Sequence, residues 1–333
     1  MDKASWYVSK VDSILPEHAD RRVLCFIIIV LLSLGLMYFF VASAPNKFPE
    51  RSITTIEEGE SIASAALQLK EDEFIRSKFV FQILVVLKNR NRGVLAGDYY
   101  FHDKEGLFAV VSMLTNGNFG LDPVRITVFE GETRKEMADS YEEKFNKFDA
   151  EKFLEITKDK EGYLFPDTYF FLPSVRAKEV AKTMEKNFIK KIDSLETEIL
   201  KHGKSLEDVI IMASLIEKES ADSLSERRLI SGILWERLEL GIALQVDATF
   251  KYVNGKSTFK LSTDDLKIDS PYNTYTRRGL PVGPIANPGL DSILAAVTPT
   301  KSDYLYYLHD RDGNIYYAET FDEHKDNKTR YLR

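Results

Sequence analysis

From Val23 to Asn46 the chain carries no charged residue, and the stretch Val23–Ala44 (VLCFIIIVLLSLGLMYFFVASA) is apolar almost throughout. At a helical rise of 1.5 Å per residue, about 22 residues span about 33 Å, enough to cross a hydrocarbon core of about 30 Å. This predicts a single transmembrane helix over residues 23–44. Arg21 and Arg22 abut its start, which favours a cytoplasmic amino-terminal segment over residues 1–22. A cleaved signal peptide would use Ala42-Ser43-Ala44 as its processing site, but the length of the preceding run and Pro45 just beyond it argue against cleavage. A buried core helix is the remaining reading, and an uncharged run this long is rare in soluble domains.

Beyond the apolar run the pattern changes to alternation, a turn and then helical periodicity, and it does so twice. Residues 53–61 read ITTIEEGES and residues 126–133 read ITVFEGET. In each copy a short alternating strand meets Glu-Gly-Glu, where glycine supplies the turn and Ser61 or Thr133 can cap a helix. The first copy opens a small module over residues 48–120, continuing through an apolar helix at Phe79–Leu87, a strand at Gly97–Phe101 and a helix at Glu105–Leu114 stopped by Asn116-Gly117. This βααβ order resembles a LysM-type glycan-binding domain; a generic α+β unit fits equally well. After Asp122-Pro123 a larger α+β domain is expected over residues 124–333. It has a Pro166-Asp167 turn leading into aromatic strand residues, helices over about 175–198, 205–220 and 225–240, and a hairpin (304–309 with 315–318) turning at Asp312-Gly313.

Composition removes several function classes. A net charge of −7 offers no basic stripe for nucleic acid. The one cysteine, Cys25, lies inside the apolar run, so no internal disulfide, paired zinc ligand or aqueous thiol nucleophile is available. Five scattered histidines lack metal-ligand spacing, and no cofactor or metal is expected. Most of the 16 tyrosines and 21 phenylalanines are expected to fill cores, with a minority free to face a carbohydrate.

The most informative helix is the segment 205–220, SLEDVIIMASLIEKES. Ser205 with Asp208 three residues on resembles a capping box, and the middle is apolar on most sides. Two glutamates close it. Positions two apart lie some 200° around a helix, so Glu217 and Glu219 cannot enter one cleft. Glu219 shares its face with Leu215, Met212 and Ile216, the bulkier surroundings; Glu217 shares its face with Ala213, Ile210 and Ser214. A carboxyl on a greasy surface near a helix carboxyl terminus holds its proton to higher pH, as an acid that protonates a glycosidic oxygen must. The alternative is that both glutamates are solvated or paired with Lys218, Arg227 or Arg228. The segments that follow, 244–250 and the Pro-, Gly- and Tyr-rich 270–289, read as long irregular loops, which are often functional.

With these segments the chain resembles the YceG-like family. The resemblance is carried, in order, by Glu161-Gly162 with FPDTY (165–169), ASLIEKE (213–219), Leu244-Gln245 with Asp247 and Thr249, YNTY (272–275), and GLP (279–281) with GPI (283–285). It departs at Val246 and Ala248, where Thr and Pro are commoner. The resemblance implies a lytic transglycosylase that cuts peptidoglycan between N-acetylmuramic acid and N-acetylglucosamine within strands. One glutamate protonates the leaving oxygen and then, as a base, helps the muramyl C6 hydroxyl attack C1, giving a 1,6-anhydro end. The family's catalytic glutamate falls on Glu219, with Ser220 behind it as in other lytic transglycosylases. Glu217 is the secondary candidate, and Gln245, Asp247, Asn273 and Tyr275 are expected to position substrate. The expected location is the inner or plasma membrane, with the catalytic domain outside. Peptidoglycan synthases and division or elongation proteins are the expected protein partners. Two other readings stay open: a membrane-tethered glycan-binding scaffold without catalysis, and a hydrolytic muramidase using Asp247 as a second carboxylate.

Overall fold

In the computed structural model the apolar run forms helix α1 (Arg21–Met37), continued by one π-helical turn over Tyr38–Ala42. The described residues are 21–89, 93–219, 223–256 and 260–332. Val23–Ala42 has a mean hydropathy of 2.8 and its most apolar window is not buried at all. It is a candidate membrane span. It ends two residues short of the expected Ala44, because Ser43 already has an extended backbone (ψ 155°) and the residue before a proline avoids helix.

The chain divides into two units after Asp122. In the first, β1 (Ser52–Ile56) pairs antiparallel with β2 (Gly97–Phe101), and α2 (Ile62–Glu71) and α3 (Lys78–Lys88) lie between them in sequence. The β-α-α-β order is as expected. Ser61 caps α2 by accepting from the Ser64 N–H at 3.1 Å. The helix α4 (Leu107–Asn116) follows and stops at Gly117, whose φ of 73° suits a residue without a side chain. Phe48, Phe74, Phe81, Tyr99, Phe101 and Leu114 form the core. This unit is tied directly to the end of α1. The Arg76 guanidinium donates to the carbonyls of Ser43 (3.1 Å) and Ala44 (2.8 Å) and to Asn46 (3.1 Å).

The second unit has two cores. In one, β3 (Val124–Thr127) pairs antiparallel with β4 (Thr168–Phe171) beside α5 (Arg134–Lys144), α6 (Ala150–Ile156) and α7 (Ala177–Asp193). Tyr141 is surrounded there by Phe145, Phe148, Phe153 and Phe171. Thr133 and Glu136 close a reciprocal capping box on α5, so both sequence repeats end in the helix caps their sequences predict. The pattern predicts one helix over 175–198, but the structure breaks it after Asp193 and resumes it as α8 (Glu196–His202). Leu195 leaves helical geometry (φ −114°, ψ 9°) and its side chain sinks into the second core.

That second core is built around α9 (Leu206–Glu219), in which every residue from Val209 to Ile216 is buried. The helices α10 (Leu224–Glu239) and α12 (Leu290–Val297) pack on it. Between them run α11 (Thr249–Asn254) and the loop 268–289, which holds no helix or strand. The chain closes with the hairpin β5 (Tyr306–His309) and β6 (Ile315–Ala318), turning at Gly313 (φ 84°), and with α13 (Phe321–Tyr331). Among the described residues, three two-stranded sheets stand among many helices, and the fold is α+β.

Contact between α10 and the segment after α12 is close enough to require glycine. A Cβ at Gly232 would lie 1.9 Å from the Thr300 carbonyl oxygen, so Gly232→Ala should destabilise the protein by roughly 2–3 kcal/mol through backbone displacement. Thermal unfolding measures the loss, and an unchanged Tm would contradict the packing described.

Candidate active site

The two glutamates that end α9 meet different surroundings. The Glu217 side chain is only 6% exposed and pairs with Arg227 at 3.2 Å. It also accepts from the Gly289 N–H at 2.9 Å, at the cap of α12. Arg227 in turn donates to Ser292 at 2.6 Å. Glu217 thus ties α9, α10 and α12 together and supplies negative charge at the positive end of α12.

Glu219 points elsewhere. Its residue surface is partly exposed, yet its carboxyl group is enclosed. The Tyr307 hydroxyl, from strand β5, donates to Oε2 at 3.0 Å, and the Ala248 N–H donates as well. Burial pushes the Glu219 pKa up to about 7; the two donors pull it down and the nearby Asp247 charge adds to the rise. A carboxyl in this state carries its proton to near-neutral pH while two fixed donors stand ready for the ionised form.

The surrounding frame comes from the irregular segments. Asp247 accepts a short hydrogen bond from the Tyr275 hydroxyl, and burial pushes the Tyr275 pKa upward so that it stays a donor. The backbones of 244–247 and 272–275 are stitched together by Gln245 N–H to Thr274 O (3.0 Å) and Val246 N–H to Thr274 Oγ1 (2.9 Å). Gln245 has φ 55°, an uncommon conformation for a residue other than glycine. Its side-chain oxygen accepts from the buried Arg237 at 3.0 Å. Arg237 also holds the Ala243 and Leu305 carbonyls, linking this loop to the start of the hairpin. Asn273 is 1% exposed, and its amide is fully used inside the loop. It donates to Leu266 O (3.0 Å) and Ile268 O (2.7 Å) and accepts from the Tyr275 N–H (2.8 Å).

Of the residues singled out in the sequence, Glu219, Asp247 and Tyr275 therefore converge, with Gln245 and Asn273 holding the loop behind them. Glu217 lies in a separate network, and Ser220 is outside the described residues. Sequence reasoning missed Tyr307 and Arg237. A tyrosine in an alternating strand reads as packing, and nothing local marks its hydroxyl as the partner of a carboxyl 88 positions earlier.

A cleft of about 520 Å³ adjoins this cluster, lined among others by Arg134, Glu161, Lys218, Ala248, Lys251 and Tyr252. Glu219 does not itself line it; Lys218 and Ala248, its neighbour and its donor, do. Glu161, known from the sequence only as part of a motif, is 7% exposed and accepts from Asn287 at 2.7 Å and from the Arg134 N–H at 3.0 Å. Burial raises its pKa to about 7 against those donors and the Arg134 charge. Among the described residues no cluster of His, Cys, Asp or Glu is arranged to hold a metal ion.

The enclosed Glu219 carboxyl, with Asp247 beside it and a polar cleft adjoining, is an arrangement that can exchange a proton with a bound molecule. Residues 54–330 match the YceG-like family, and the chain belongs to that family. It is 33% identical to the endolytic murein transglycosylase of Bacillus subtilis, covering 90% of this chain and 91% of that one. A second relative of that name, from Streptococcus pneumoniae, is 34% identical over 52% of this chain and 32% of its own length. The crystal structure of a YceG-like protein from Listeria monocytogenes superposes with a TM-score of 0.56 at 29% identity, covering 83% of this chain and 98% of that one.

The two glutamates should respond oppositely to loss of charge. With Glu219 raised from 4.5 to about 7, the folded protein holds a proton the unfolded chain has released between those values. Stability should therefore fall as pH rises from about 4.5 to 7 and stay lower above. Glu219→Gln should raise the Tm at pH 8 more than at pH 5. Glu217→Gln leaves the largely enclosed Arg227 without its carboxylate and should cost roughly 2–3 kcal/mol at pH 7. Calorimetry of both variants across pH checks the pair, and equal responses would refute the assignment.

Proposed function

We propose that this chain cuts peptidoglycan glycan strands internally, between N-acetylmuramic acid and N-acetylglucosamine, leaving 1,6-anhydro ends, with Glu219 as acid and then base. That it is a peptidoglycan-cleaving lytic transglycosylase follows from its kinship with the B. subtilis protein. The observation that carries the finer reading is the enclosed Glu219 carboxyl, held near pKa 7 by burial and met by the Tyr307 hydroxyl and the Ala248 N–H. Protonated, it delivers a proton to the glycosidic oxygen. Ionised, it is stabilised by those two donors while it takes the proton of the muramyl C6 hydroxyl attacking C1. One carboxyl serves both steps, and no water enters the bond-forming step.

Asp247 sits close enough to raise the Glu219 pKa and is held by Tyr275. This favours a role in stabilising positive charge at C1, and it is also the observation that keeps a water-activating, hydrolytic second reading in play. Gln245 and Asn273 act by fixing the loop that carries Asp247 and Tyr275. The cleft beside Glu161 and Lys218 accommodates the adjoining part of the strand. The helix α1 holds the enzyme in the cell membrane with the larger unit outside. The β-α-α-β module serves as a LysM-like glycan contact, and wall synthases or division and elongation proteins are the fitting partners.

Digesting purified glycan strands with the full chain in detergent, followed by mass spectrometry, tests this directly. Anhydromuramyl products are expected, with turnover lowered about 10²–10⁴-fold in Glu219→Gln. Reducing ends would establish the hydrolytic reading, and loss of activity in Glu161→Gln with Glu219→Gln unaffected would move the acid to the cleft. The rate should also fall above about pH 7, as the Glu219 proton is lost; a flat profile from pH 5 to 9 would contradict the acid role.

A further inference from the structure

Helix α3 presents an apolar surface that the protein does not cover. Its sequence, KFVFQILVVLK, has no charge between Lys78 and Lys88, and a helix apolar all round is normally enclosed. Here Phe81 and Val85 sink into the core of the first unit. On the other side Phe79 is 67% exposed, Ile83 41%, Val86 46% and Leu87 74%. At about 100° per residue these four occupy one face roughly 100° wide, opposite Phe81 and Val85. Contiguous exposed apolar surface of this kind marks a place where something other than water is met.

The position of the helix says what that is. Arg76, next to the Ser77 cap of α3, is bonded to the Ser43 and Ala44 carbonyls where α1 ends, and its guanidinium lies 5.9 Å from the centre of the Phe39 ring. An arginine over an aromatic ring at the end of an apolar span is the arrangement found at the membrane–water boundary. Phe108, 57% exposed at the start of α4, flanks the same point: a Cβ at Gly106 would lie 3.1 Å from the Ala42 carbonyl oxygen. The start of α3 is therefore anchored at the exit of α1.

We infer that α3 lies on the bilayer, with Phe79, Ile83, Val86 and Leu87 in the headgroup–acyl boundary beside α1 and Lys78 and Lys88 at its two ends among the headgroups. This rests on α1 being a membrane span. An 11-residue helix extends about 16 Å, so the contact makes a second, lateral foothold that fixes how the first unit faces the membrane.

The full chain with Cys25→Ala, in vesicles of phosphatidylethanolamine and phosphatidylglycerol, provides the test. Nitroxide labels are placed singly through Phe79→Cys, Ile83→Cys and Leu87→Cys, with Ile29→Cys as the lipid reference and Glu71→Cys as the aqueous one. Collision rates with oxygen, which partitions into lipid, and with a water-soluble nickel chelate are compared. The oxygen-to-nickel ratio at 79, 83 and 87 should exceed that at 71 severalfold and approach that at 29. If 29 reports lipid while the three α3 sites match 71, the surface contact is wrong and the span stands. If 29 itself reports water, the span reading has failed. Shielding of the α3 sites from both reagents means a protein covers this face, a second copy included, and also overturns the proposal.

Discussion

A carboxyl group taken out of water at the end of an apolar helix is the constraint around which the larger unit is organised. Holding Glu219 ionised in that position costs roughly 3 kcal/mol, the equivalent of its displacement from 4.5 to about 7. That is the cost left after the Tyr307 and Ala248 donors have offset part of the burial penalty, with Asp247 working against them. Ala248 arrives on an irregular segment and Tyr307 on a strand of the short hairpin β5–β6. Arg237 supplies the common support, since one buried guanidinium reaches Gln245, the Ala243 carbonyl and the Leu305 carbonyl. The loop bearing Ala248 and the strand bearing Tyr307 are therefore braced by the same cation.

Glu217 and Glu219 show how two residues of one kind, one turn of chemistry apart, take separate roles. The 200° between them sends one toward α10 and α12, where Arg227 and the Gly289 N–H absorb its charge as structural glue. The other is sent toward groups that leave it nearly neutral. Glu217 meets a guanidinium, whereas Glu219 meets only a phenol and an amide. The difference in chemistry is a difference in partner, set by helix geometry.

Much of this was legible in the sequence because it is local. The apolar span, the caps at Ser61 and Thr133, the Gly117 stop, the turn at Gly313 and the burial of α9 all depend on residues a few positions apart. The break at Ser194-Leu195 was not legible, because no breaker residue marks it; what accompanies it is the burial of Leu195 in the core. The site was half legible. Glu219 could be chosen over Glu217 by periodicity, but Tyr307 and the Glu161–Asn287 pair are joined across 88 and 126 positions, and single-sequence patterning carries no such distances. Asn273 and Gln245 look like sugar-binding amides in a list of residue types. The Asn273 amide is instead spent on nearby backbone and the Gln245 oxygen on Arg237, partners that residue types do not reveal.

The hydroxyl that meets Glu219 belongs to a strand close to the carboxyl terminus, and ribosomes deliver chains amino end first. For the interval between the making of residue 219 and the folding of the hairpin at Tyr306–His309, the glutamate exists without its phenol and without the Leu305 carbonyl that steadies Arg237. A chain that stops before the hairpin thus carries Glu219 without the hydroxyl donor that meets it. Formation of the hairpin is therefore the folding event that completes the surroundings of Glu219.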